Sequence, residues 1–270
     1  MADLLRDLPA YRVLLGSRLA SQTAYRTSFA LDLLGQLGLA LLELCEIYVV
    51  FHNVDALGGL AFGPALLVFA LANVSWSIAD TVVGHLDTLP TFIRTGTLDA
   101  MLLRPLPALA QLVTSDLSLR RLARTAMGLV VLVVALPIAI DDWTPAKVVL
   151  LVITPVTGAA IFAALFVGAA GAQFWLVDGG EMTNAFTYGS SYVSSYPTSV
   201  LHGIARTFFT FVVPAAFVAY LPALAITGQQ GPPGLPSWLG WLTPVAAALS
   251  WCVALLCWRL GLRHYTGAGG

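Results

Sequence analysis

Of 270 residues, 58% are hydrophobic and only 10% charged, and the mean hydropathy is +0.84. Several windows reach the roughly 20 apolar residues that cross a hydrocarbon core of about 30 Å, which excludes a soluble globular domain and makes this an all-α polytopic membrane protein. A net charge of −1 leaves no basic face to displace counterions from phosphates, so nucleic acid is excluded as a partner.

The first residues, MADLLRDLPAYRVLL, carry acids and Pro9 where a signal peptide has a basic stretch before an apolar core. Insertion is therefore expected to rely on the first true span. Residues 10–26 mix Leu and Val with spaced arginines, the pattern of an interfacial helix, so that 1–27 forms a surface segment. Six spans follow, near 29–51, 60–84, 122–140, 148–176, 204–227 and 236–260, and 1–270 reads as one transmembrane domain. An even count puts both termini on one side. Twelve of the 13 basic residues fall on that side, with only Lys147 opposite, and the positive-inside rule makes it the cytoplasmic side of a cell membrane, inner or plasma. The opposite connections, 52–59, 141–146 and the GQQGPPGLPSW turn, are short, and Trp143, Trp238 and Trp241 mark the interface there.

Span one carries Glu43 and Glu46, three residues apart and hence on one helical face. Carboxylates at membrane depth are expensive and face a cavity or a partner. Two readings stand: a polar lining of a translocation pathway, or protonated groups bonded to a neighbouring helix as structure. No Arg or Lys is expected at a matching depth to pair with them. Asp32 and Asp80, near the inner ends of spans one and two, are expected to be solvated among headgroups.

The loop 85–121 is the most informative stretch. It sets Phe92, Ile93, Leu98, Met101, Leu102 and Leu103 among Arg94, Asp99 and Arg104, and Pro105 ends it. Helical spacing of its apolar positions predicts an amphipathic helix parallel to the membrane, which either rests on lipid or offers a docking face to a soluble partner. Small residues at 160, 164, 168 and 172 let span four approach another helix closely, inside the bundle or across a dimer. The run Thr187–Tyr196, including Tyr192 and Tyr196, is polar and aromatic, suited to a cytoplasmic entrance or an interfacial belt. Pro214 and Pro222 are expected to break span five beside a pathway. His85 and His202 are isolated and read as structural. Cys45, Cys252 and Cys257 lack metal or redox spacing and read as packing residues.

The DALGG of residues 55–59, the IRTGTLDAMLLRPLP run, the Tyr196-Pro197 pair and the Pro214…Tyr220-x-Pro222 pattern resemble the membrane subunits of type-2 ABC exporters, in a group of compact six-span permeases of unassigned substrate. The resemblance implies a coupling helix that docks an ABC ATPase through Thr91, Phe92, Ile93, Arg94, Leu98, Asp99, Leu102 and Arg104. It further implies a second six-span permease, identical or related, and a pathway touching Glu43, Glu46, Tyr192, Tyr196 and Pro214. No glycine-rich phosphate loop with its lysine is present, so ATP and Mg²⁺ are expected on the partner ATPase and no ATPase site on this chain. An ion-coupled secondary transporter using Glu43 or Glu46 would show inverted repeats, and none is evident. A membrane-embedded enzyme would need a nucleophile or HExxH motif, which is absent.

Overall fold

The computed structural model describes residues 26–115, 121–176 and 180–267; the interfacial segment expected at the N-terminus lies outside them. In chain order the elements begin with α1 (Arg26–Asn53), α2 (Phe62–Val83), a 3₁₀ turn (Gly84–Thr88), α3 (Leu89–Arg94), α4 (Thr97–Leu102) and α5 (Ala108–Ser115). They continue with α6 (Arg121–Ala139), α7 (Pro145–Ala172), α8 (Gly180–Ser194), α9 (Gly203–Thr207), a π-helical turn (Phe208–Val212), α10 (Ala215–Val218), α11 (Tyr220–Thr227) and α12 (Thr243–His264). Among the described residues no strand forms, which suits a lipid environment, since a helix satisfies its own backbone groups where no water can.

Among the described residues four helical stretches are long and apolar enough to cross a membrane: α2 with its continuation to Arg94, α6, α7, and α12 with the 3₁₀ turn before it (Ser237–Leu242). Their packing fixes two ends of the bundle. Gly63 at the start of α2 abuts the carbonyl of Ile138 near the end of α6, whereas Arg121 at the start of α6 reaches Asp80 near the end of α2, so these two run antiparallel. Gly171 near the end of α7 sits against Trp258 in the later part of α12, so α7 and α12 run the same way. Of the small-residue stripe of span four, Gly168 faces α12, where a Cβ on it would lie 3.7 Å from Ala254; the tighter approach is at Gly171, outside the stripe, where a Cβ would lie 2.7 Å from the Trp258 backbone nitrogen.

Helix α2 is the most enclosed, with Leu67, Leu71 and Trp76 at the centre. Trp76 meets the rings of Phe162, Phe166 and Tyr188 with centroids 5.1–5.2 Å away. The outer helices expose apolar side chains instead, such as Leu31 at 67%, Val133 at 66% and Val253 at 68%. An apolar surface of that kind needs lipid or another protein against it. Cys45 and Cys252 are also exposed, which corrects their reading as packing residues. Cys257 is half-buried and its Sγ–H donates to the Gly168 carbonyl at 3.3 Å.

The fifth span requires the largest correction. The break expected at Pro214 is present and that at Pro222 is not: residues 204–227 form α9, the π-helical turn, α10 and α11, interrupted around Pro214 and Ala219. The segment also starts and finishes at the same end of the bundle. Ser199 just before it donates to the Gly58 carbonyl at 2.6 Å, in the α1–α2 connection, and Gly240 just after it packs on Leu221 where α12 begins. The segment that runs between the two ends is α8, from Gly180 beside Pro90 toward Ser199 beside Gly58. Its polarity hides it from a hydropathy reading. Thr187, Ser190, Ser194 and Ser195 each donate their hydroxyl to the carbonyl four residues earlier, so a Ser/Thr-rich helix carries few unsatisfied donors. This also moves Arg206 to the Gly58 end, away from the arginine-rich one.

Candidate translocation site

Helices α1, α2, α6 and α8 enclose a cavity of about 180 Å³ that brings together Glu43, Glu46, Tyr192 and Tyr196, four of the five pathway residues expected from sequence. The Glu43 carboxylate accepts from the guanidinium of Arg124, and Tyr196 donates its hydroxyl to Glu46 at 2.6 Å. An arginine partner for Glu43 overturns the expectation that none lies at its depth. Arg124 sits one turn into α6, and its long side chain carries the guanidinium toward α1. The expected span 122–140 already contains Arg124, and an arginine inside a span is the signal that finds it. Tyr188, from the Thr187–Tyr196 run, also lines the cavity, and Phe69, Asn73 and Trp76 of α2 join it without having been singled out.

Pro214 is elsewhere. It lines a separate, apolar groove of about 480 Å³ between α7, the π-helical turn and α12, with Phe211, Val212 and Phe217. The structure therefore separates Pro214 from the carboxylates.

At the opposite end from Gly58, a second set of polar contacts ties the connecting segments together. Asp80 is only 8% exposed and pairs with Arg121 at 3.1 Å, which also donates to the Asp80 carbonyl at 2.6 Å. That corrects its reading as a solvated headgroup residue. Gly84 leaves room for this pair, since a Cβ there would collide with both partners. Tyr188 donates to Asp87 at 3.3 Å, joining α8 to the 3₁₀ turn. His85 bonds the Leu112 carbonyl and is structural, as expected. Gln111 Nε2 donates to the carbonyls of Met101 (2.8 Å) and Leu106 (2.9 Å), which holds α4 against α5.

The docking residues divide by exposure. Gly96, at φ +67°, lets the chain turn from α3 into α4 as a residue with a side chain rarely does. Leu98 is fully buried and Phe92 and Ile93, half-buried, pack on the core, so these three hold the α3–α4 pair down. Thr91, Arg94, Leu102 (41%), Leu103 (88%) and Arg104 form the exposed side. Asp99 faces inward enough to accept the hydroxyl of Tyr265 at 2.9 Å, joining α4 to the chain just past α12. Desolvation and the neighbouring Asp99 carboxylate push the Tyr265 phenol up to about 12. Nothing in the sequence pairs Tyr265 with Asp99, 166 residues away.

Residues 37–269 match the family described as ABC-2 family transporter protein. No curated protein and no solved structure matches the chain.

Proposed function

This chain belongs to the ABC-2 transporter family, and on that premise we propose that it is the membrane-spanning subunit of an ATP-driven exporter. The family match over 37–269 carries the reading. The chain crosses a cell membrane six times, through α1, α2, α6, α7, α8 and α12, with both termini cytoplasmic. It forms the pathway together with a second six-span permease. Separate ABC ATPase subunits hold ATP and Mg²⁺ and dock on the α3–α4 pair. The exposed apolar side chains Leu102 and Leu103, beside Arg94 and Arg104, support α4 as the docking ridge, with Leu98 and Ile93 as its foundation. The polar cavity between α1 and α8 supports a pathway on that side of the bundle, because intramembrane carboxylates are retained where a cavity or partner covers them.

The test is co-purification of the chain with a co-expressed ABC ATPase, followed by hydrolysis assays in proteoliposomes. The chain alone is expected not to hydrolyse ATP, and the complex is expected to do so. Leu102→Asp with Leu103→Asp should release the ATPase without changing the thermal stability of the helical bundle. Saturable hydrolysis by the isolated chain, or ATPase retention at wild-type yield in the double variant, overturns the reading.

A further inference from the structure

The charges around the α1–α8 cavity do not balance, and the imbalance has a sign. Glu43 and Glu46 bring two carboxylates and Arg124 one guanidinium. Arg124 is committed to Glu43, and Arg121, the nearest other cation in α6, is committed to Asp80. Glu46, which is exposed, has the Tyr196 hydroxyl as its partner and, among the described residues, no cation paired with it. A hydroxyl bonds a carboxylate but does not neutralise it, and an anionic group at membrane depth without a counter-charge is costly. Five aromatic side chains, Phe69, Trp76, Tyr188, Tyr192 and Tyr196, line the cavity as well, beside Leu39, Asn73, Ser191 and Ser195. Ring faces attract cations, and most strongly where water is scarce.

We propose that this cavity is a binding site for an organic cation, an ammonium group attached to an apolar body, with Glu46 as its counter-charge and the rings of Tyr192, Tyr196 and Trp76 as its walls. The proposal rests on the reading of the chain as a transport subunit and names the class of its cargo. An anion would meet Glu46 and have to dismantle the Glu43–Arg124 pair. A metal ion finds too few ligands, since among the described residues no group of three His, Cys, Asp or Glu gathers to hold one. The volume of about 180 Å³ is below the roughly 300–1,000 Å³ of sites that enclose a whole drug-sized ligand, so the cavity takes the charged head and one ring. The remainder of a larger cargo extends through the open side, where Tyr192 is 62% exposed.

Benzyltrimethylammonium is the probe, neopentylbenzene its neutral isostere and phenylmethanesulfonate an anionic relative. Each is titrated calorimetrically against the full chain in nanodiscs, with empty nanodiscs subtracted. The ammonium is expected to bind saturably, at least tenfold tighter than the neutral isostere, with no binding of the sulfonate. Glu46→Gln should weaken the ammonium tenfold or more and Tyr192→Ala severalfold, while neither changes the neutral isostere. Tyr196→Phe, which keeps the ring and frees Glu46, should retain ammonium binding and covers the case in which Glu46→Gln fails to fold. Equal affinity for ammonium and isostere, or undiminished ammonium binding in a folded Glu46→Gln chain, overturns the proposal. Co-purification with the ATPase is read on the same preparation. If the ATPase associates and no cation preference appears, the cargo class falls and the transport reading stands. If the ATPase does not associate, the transport reading falls, and the titration still decides the cation site by itself.

Discussion

Glu43 and Arg124 lie 81 positions apart and meet between α1 and α6 with their side chains 25% and 19% exposed. Removing one partner of such a pair leaves a charge stranded in low dielectric, whereas replacing both by apolar groups removes the desolvation cost along with the attraction. Arg124→Leu should therefore destabilise the bundle by about 2 kcal/mol, less than a fully buried pair because both groups retain some exposure. The double variant Glu43→Leu with Arg124→Leu should recover most of that loss. Detergent-titrated unfolding of the three proteins checks this, and additive losses in the double variant would mean the two groups do not depend on each other. Residue-level reading of the sequence found the carboxylates, because charge inside an apolar window stands out. It missed Arg124 as the partner of Glu43, and although it singled out Tyr196 it did not pair it with Glu46, because one sequence carries no record of which distant residues touch.

Helices α2, α6, α7 and α12 were legible from hydropathy to within a few residues, since each is apolar over a membrane-length window, α2 through burial inside the bundle and α6 and α12 through their exposed faces. Helix α8 was read as a cytoplasmic entrance or an interfacial belt and not as a span, because its polar residues face a cavity and neighbouring helices. The 204–227 stretch was read as a span because it is apolar, yet it is apolar for another reason: α10 and α11 are buried among α2, α7 and α12. Hydropathy reports burial from water, and does not distinguish lipid from protein. The amphipathic loop shows the same ambiguity, since its helical spacing was correct while Leu98, Phe92 and Ile93 proved to face the core. At this scale the α7–α12 contact gives a sharp contrast. A Cβ on Gly168 meets nothing nearer than 3.7 Å, while one on Gly171 meets the α12 backbone at 2.7 Å. Gly168→Ala should change stability by less than about 0.5 kcal/mol, and Gly171→Val should cost about 1–3 kcal/mol as the helices are forced apart. Thermal unfolding in micelles ranks the two, and equal effects would mean the helices are free to separate at that end.

For the whole molecule, the question is how a push on α4 reaches the cavity some helices away. Asp99 on α4 accepts from Tyr265, whose ring lies against Phe174, which in turn meets Trp258 of α12 at 5.4 Å. Helix α12 packs along α7, α7 along α2, and α2 carries Trp76 into the cavity wall. Motion of a docked ATPase would travel along this line as a shift of packed helices, because a close-packed interior transmits displacement with little compression. Tyr265→Phe removes the Tyr265–Asp99 bond joining α4 to the end of α12 and keeps the ring. In a reconstituted complex it should keep ATPase association and lower transported cargo per ATP severalfold; unchanged coupling would take Tyr265 out of the line. The contact also has a pH signature. A phenol raised from 10 to about 12 keeps its proton in the folded chain where an unfolded one loses it, so its contribution is complete below pH 10 and is lost as pH rises toward 12. Subtracting the 295 nm phenolate titration of Tyr265→Phe from that of the parent should leave one group ionising near 12, and a group ionising near 10 would mean that Tyr265 is not held on Asp99.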